Sequence, residues 1–186
     1  FHINVILDAL REPGFPVLDR AAGERMQQAI LAAKADGDSV GGVTETAVTG
    51  LCAGLGEPWF DTVEGMLAHG LFSVPAVRGV EFGDGFGLAR MRGSESNDGY
   101  RMEDGRIVTE SNHMGGIVGG MCDGAPVVFR TAFKPTPSIG LEQDTVNLRT
   151  EENDTVTVEG RHDPCIVPRA VAVVEAMAAI LQMLSA

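Results

Sequence analysis

Two short segments concentrate groups suited to handling an anion. Lys134-Pro135-Thr136-Pro137-Ser138 places one cation, two hydroxyls and two prolines in five residues. Proline fixes φ and stiffens the backbone, so at a strand end this run suits either the grip of a phosphate or a rigid surface turn. Composition leaves both open. Arg161-His162-Asp163-Pro164-Cys165 leads through Ile166 and Val167 to Pro168-Arg169 at the head of an apolar segment. Unpaired charge is expensive there, so Arg161, Asp163 and Arg169 either pair with one another or face a ligand. The histidines, His2, His69, His113 and His162, share no metal-ligand spacing with a neighbouring Cys or carboxylate. Neither a zinc site nor a Ser-His-Asp enzyme is indicated. His69 reads as a packed or surface histidine. Gly115-Gly116-Ile117-Val118-Gly119-Gly120 imitates a dinucleotide loop but lacks the strand before it, the helix after it and the acidic residue some 20 positions on.

The elements that must position these groups follow from periodicity and turn chemistry. Phe1 to Leu10 is an apolar run that reads as a strand, stopped by Pro13-Gly14-Phe15-Pro16. Asp19 is a helix N-cap for an amphipathic segment with Ala22, Met26, Ala29, Ile30 and Ala33 on one face, ended by Asp36-Gly37. Val40 to Leu51 reads as a strand. After the turn Gly54-Leu55-Gly56-Glu57-Pro58, Asp61 caps a helix from Thr62 to about Leu71. Val77 to Phe82 and Gly87 to Arg92 read as short strands joined through Gly83-Asp84-Gly85, and Gly93 to Gly124 as ligand-ordered loop. Val127 to Lys134 is a strand ended by the prolines, Leu141 to Asp154 a solvated acidic loop, and Thr155 to Glu159 a short strand. Pro168 suits the first turn of a last helix, apolar on nearly every side from Ala170 to Leu184. Such a helix is buried by a core and by another subunit. The mixture, with hairpin-like spacings between strands, indicates an α+β fold with mostly antiparallel pairing.

Composition bounds the partners. Across 186 residues, 14 Lys and Arg stand against 26 Asp and Glu, a formal charge of −12. A negative field repels nucleic acid and anionic membrane, so an anionic ligand must be met locally. Glycine is over-represented at 24 residues, and twelve of them fall between Gly79 and Gly124, a stretch dense in tight turns or close backbone approaches. No run of 18 apolar residues and no secretory leader are evident, and Cys52, Cys122 and Cys165 fit neither a disulfide framework nor a zinc site. A soluble protein of the reducing cytoplasm is expected. The sequence starts at Phe1 in an apolar segment, as though something preceded it.

The run GRHDPCIVPRAVAVVE, Gly160 to Glu175, resembles the C-terminal signature of chorismate synthases. Further blocks are similar to that family in the same order: GDSVGG at Gly37, GLGEPWFD at Gly54, SVPAVRGVEFGDGF at Ser73, then SNHMGGIVGG and AFKPTPSI between Ser111 and Ile139. The resemblance implies a lyase of the shikimate pathway, the route to aromatic amino acids. It would convert 5-enolpyruvylshikimate 3-phosphate to chorismate by 1,4-anti elimination of phosphate, with reduced FMN as cofactor. It implies that Lys134, Pro135, Thr136, Pro137 and Ser138 hold FMN, that Arg161 lies at the flavin and substrate anions, and that Gly119 brings its backbone close to the cofactor. Pro75 and Ala76 would line the flavin, and Asp163 would stand near flavin N5 as a proton relay. Arg92 and Arg130 receive no role.

The resemblance also implies a β-α-β sandwich of mostly antiparallel sheets with outer helices, usually assembled as a homotetramer. Family members are about twice as long. Their N-terminal half carries two motifs whose histidines protonate the leaving phosphate and the flavin, and neither motif occurs in this sequence. Residues 1–186 are therefore expected to form the C-terminal portion of a chorismate synthase-like domain, truncated at its N-terminus, with little turnover alone. A non-catalytic flavin- or partner-binding module on the same half-fold is the alternative.

Overall fold

The computed structural model describes residues 14–185, so the strand expected over Phe1 to Leu10 lies outside the described residues. The chain divides into two compact units, one from residues up to Gly42 with Lys134–Val171, the other from Val43–Phe133 with the residues from Ala172 onward.

In the first unit, helix α1 (Arg20–Ala35) starts where the side chain of Asp19 accepts hydrogen bonds from the Ala21 and Ala22 amides at 2.9 and 3.2 Å. It ends in a Schellman motif. Asp38 N–H donates to Ala33 O at 2.8 Å and Gly37 N–H to Lys34 O at 3.2 Å, with Gly37 left-handed at φ 71°. The expected apolar face is shallow: only Gly23 is fully buried. The acidic stretch from Leu141 is not the expected loop but a hairpin, β8 (Gln143–Asn147) antiparallel to β9 (Glu152–Val156). Asn147 builds its turn by accepting from Arg149 and Thr150 N–H at 3.0 and 3.4 Å, an Asx device that outweighs the charge of the strands. The strand expected from Thr155 therefore begins three residues earlier.

The second unit contains, apart from Gly42, a three-stranded sheet ordered β1 (Gly42–Val48), β7 (Val127–Phe133), β2 (Val77–Phe82). β1 is shorter than expected at both ends. β7 buries Val127, Phe129, Thr131 and Phe133, the alternate residues of a strand with one face in a core. β2 runs antiparallel to it, pairing Glu81 with Arg130 and Phe82 with Phe129, with an irregularity between Val77 and Gly79. Against β2 packs α2 (Val63–Ser73), whose Val63, Leu67 and Leu71 recur at helical spacing and are buried. Each contributes about 1.5–3 kcal/mol of burial. The cap of α2 is Thr62, whose hydroxyl accepts from Gly65 N–H at 2.9 Å, and not Asp61, which closes the preceding 3-10 turn Trp59–Asp61.

The segment expected as a strand from Gly87 to Arg92 is a 3-10 helix, Gly85–Arg90. The Glu81 carboxylate accepts from Phe86 N–H at 3.2 Å, and Gly87 N–H donates to Asp84 O at 2.8 Å, so the chain coils where the sheet would continue. The stretch expected as loop from Gly93 to Gly124 holds a short helix, α3 (Gly93–Ser96), and two hairpins: β3 (Tyr100–Glu103) with β4 (Arg106–Thr109), and β5 (Ile117–Val118) with β6 (Met121–Cys122). Asp104-Gly105 makes the first hairpin, both residues at positive φ as a type I′ turn requires.

The last helix, α4 (Val167–Ser185), has Ala170 in the first unit and Val174 and Ala178 in the second buried, while Val173 and Ile180 are exposed. Among the described residues no helix is long and apolar enough to cross a membrane. The observed architecture is α+β, with helices and antiparallel hairpins.

Candidate functional site

The six positions Lys134 to Ser138 and Arg161, with Asp163, lie in the first unit; Pro75, Ala76 and Gly119 lie in the second. In the first unit the run from Lys134 leaves β7 as irregular backbone. Lys134 is half-buried and has no ion-pair partner among the described residues. The Thr136 hydroxyl is buried without a hydrogen-bond partner among the described residues. A cation and an unspent hydroxyl on a proline-stiffened turn are donors of the kind that can grip a phosphate.

This turn is held from outside. The Schellman end of α1 delivers Ser39, whose hydroxyl donates to Thr136 O at 2.6 Å, and Gly140 N–H donates to Gly37 O at 2.8 Å. One residue further, Val40 N–H donates to Pro164 O at 2.8 Å. The GDSVGG block thus ties both chemistry-bearing segments of the unit. Asp163 forms an ion pair with Arg169 and accepts from Cys165 N–H at 3.3 Å. Of the two outcomes open in the sequence, pairing is realised for Asp163 and Arg169, while Arg161 is exposed and carries no ion pair among the described residues. His162 Nε2 donates to Val158 O at 2.6 Å.

In the second unit Pro75 and Ala76 form the link from α2 to β2, and Ala76 sits in the left-handed region at φ 71°. That conformation costs a non-glycine residue about 1–2 kcal/mol. Gly119 and Gly120 form the two-residue turn between β5 and β6 at φ 64° and 90°. A side chain at Gly119 would meet only open space, whereas one at Gly120 would run into Thr62 and the Glu57 carbonyl. The open side of Gly119 leaves its backbone accessible to a ligand.

Sequence reasoning assigned no role to Asp98 or Asp84, yet they organise the SNHMGG block. Asp98 accepts from the Ser111 hydroxyl at 2.7 Å and from His113 and Met114 N–H at 2.8 and 2.9 Å. Burial raises its pKa, but the Ser111, Met114 and His113 hydrogen bonds and the nearby His113 ring outweigh it, so the carboxyl lies below its ordinary value. Asp84 Oδ2 lies 2.6 Å from His113 Nδ1. The detectable signal was two aspartates within 30 residues of a Ser-Asn-His run, at separations of 15 and 29 from His113. The depression on the sheet lined by Val43, Gly79, Glu81, Phe86, Arg130 and Ala132 contains none of the expected site residues. Arg130 is engaged there with Glu81, Nε to Oε1 at 2.9 Å. Among the described residues no cluster of His, Cys, Asp and Glu could hold a metal.

The family model described as chorismate synthase matches residues 2–185. A chorismate synthase of Dehalococcoides mccartyi is 55% identical over 163 residues, 88% of this chain and 45% of that protein. One from Korarchaeum cryptofilum is 55% identical over 155 residues, 83% of this chain and 43% of its own length. One from Methanosarcina barkeri is 48% identical over 176 residues, 95% and 48% of the respective chains. A crystal structure of chorismate synthase superposes with a TM-score of 0.70 at 31% identity, covering 88% of this chain and 42% of that one. The chain spans less than half the length of these relatives.

Proposed function

The chain belongs to the chorismate synthase family, and from that premise we propose that it carries the flavin-gripping and proton-relaying share of a phosphate lyase acting on 5-enolpyruvylshikimate 3-phosphate. The observation that carries this reading is the occurrence on one stiff turn of Lys134 and a buried Thr136 hydroxyl, neither of which has a partner among the described residues. These residues fit the phosphate of FMN. Reduced FMN, when bound, supplies electron density to the allylic system while phosphate leaves in a 1,4-anti elimination.

The chain's own residues divide the remaining work. Lys134 supplies charge and Thr136 and Ser138 supply hydroxyls, while Pro135 and Pro137 limit the conformations of the grip before a ligand arrives. Arg161, exposed and without an ion pair among the described residues, is available to a second anion, the substrate phosphate or carboxylate. Asp163 would relay, near flavin N5, the proton lost from carbon 6 of the substrate. Its pairing with Arg169 and its bond from Cys165 N–H fix the carboxylate's direction, the condition for a positioned base. For Gly119, Pro75 and Ala76, the cofactor-lining role is the one that the family resemblance implies; Gly119 has no side chain, and open space where one would stand. A cytoplasmic biosynthetic step and assembly into a homotetramer belong to the same reading.

Titration of the chain with oxidised FMN, followed by flavin fluorescence, tests it. Saturable binding by a cooperatively folded chain is expected, and a folded chain indifferent to FMN would overturn the proposal. Chorismate formation with reduced FMN under anaerobic conditions is expected to be weak for the 186-residue chain. The sequence has no counterpart of the histidine motifs, and loss of a general acid costs about 10²–10⁴ in rate.

A further inference from the structure

Ser39 is a polar side chain more than nine-tenths buried, and its hydroxyl is spent on one acceptor, the Thr136 carbonyl at 2.6 Å. That acceptor lies between two prolines. Neither Pro135 nor Pro137 has an N–H, so the turn cannot fix itself through backbone hydrogen bonds at those positions and depends on an external donor. Gln143 Nε2 reaches Pro137 O only at 3.4 Å, at the weak end of such contacts. Meanwhile Ser39 N–H is held by the Asp38 carboxylate at 2.8 Å, and the flanking Gly37–Gly140 and Val40–Pro164 bonds anchor the backbone on either side. A donor this constrained fixes the plane of the Thr136 peptide, and with it the direction in which the Lys134 and Thr136 side chains leave the turn.

We infer that Ser39 is a positioning residue for the flavin phosphate: it orients the Lys134–Ser138 grip without touching the ligand. The inference rests on reading this turn as the FMN phosphate site, and it assigns to the GDSVGG block a role that the block's composition does not show.

Comparing two flavins tests it, because riboflavin lacks the phosphate. For Ser39→Ala, the FMN dissociation constant is expected to rise about 5- to 10-fold, the worth of one hydrogen bond. The riboflavin constant should stay within about twofold, and Ser39→Thr, which keeps the hydroxyl, should recover most of the FMN affinity. Faster hydrogen exchange at the Gly140 amide in the alanine variant should accompany the change. Equal weakening of both flavins, unchanged FMN affinity, or loss of cooperative melting in Ser39→Ala without recovery in Ser39→Thr would each overturn the assignment. If the parent chain itself binds no FMN, the flavin reading falls; if it binds and Ser39→Ala binds equally well, only the role of Ser39 falls.

Discussion

At Lys134 a half-buried side chain without a carboxylate partner among the described residues stands on a chain of strongly negative charge. Replacing it with alanine removes a charge-assisted contact worth about 1.5–3 kcal/mol to a phosphate. Lys134→Ala is accordingly expected to raise the FMN dissociation constant roughly 10- to 100-fold while leaving the melting temperature nearly unchanged, read by fluorescence titration and thermal unfolding. Asp98 makes the opposite kind of contribution, to stability. Its folded carboxyl titrates below the ordinary 3.8. Its stabilisation is thus complete above that value and is lost as pH falls through the lower, folded one. Asp98→Asn should cost about 1–3 kcal/mol at pH 7. It should also flatten the acid limb of the stability profile, measured by urea unfolding between pH 2 and 7. An acid limb as steep as the parent's would show that other carboxylates set it.

Elements show where local sequence decides and where it does not. The start and stop of α1 were legible, because Asp19 and Gly37 are the residues that the cap and the Schellman turn demand. β7 was legible too, as an apolar run ended by proline. The β3–β4 hairpin was missed although Asp104-Gly105 is a strong turn signal, since the surrounding Ser, Asn and Gly residues resemble loop. Gly85–Arg90 was misread as a strand because the contact that coils it, from Glu81 to Phe86 N–H, is not encoded by periodicity. The ion pair of Asp163 and Arg169 was half legible: residue types showed that it was possible, and only geometry chose it. The β5–β6 turn offers a test at this scale. Gly119→Ala should cost about 1–2 kcal/mol, the strain of positive φ alone. Gly120→Ala should cost more, because its Cβ also meets Thr62 and the Glu57 carbonyl. Equal losses in chemical denaturation would mean that backbone strain accounts for both.

For the whole molecule, apolar surface is the outstanding feature. Trp59, Phe60 and Phe86 are each more than 80% exposed, far beyond the scattered apolar residues of an ordinary surface. Self-association is expected, and light scattering should report a mass above the 19.6 kDa of one chain. Phe60→Glu should shift the population toward monomer; a monomeric parent at micromolar concentration would contradict the tetramer of the proposed function.

The exposed hairpin of β8 and β9 has a consequence for mechanics. Its strands contribute almost nothing to the core, and a two-stranded ribbon without a packed face is marginal in water. Its local opening is expected to cost less than global unfolding, which hydrogen exchange at its amides would measure. Yet it starts at Gln143, three residues after Gly140, where the Ser39-tied turn ends. Stiff and compliant backbone therefore meet within one short link. The Gln143 amide, donating to Pro137 O at 3.4 Å, is where the acidic arm meets the turn that carries the lysine and threonine.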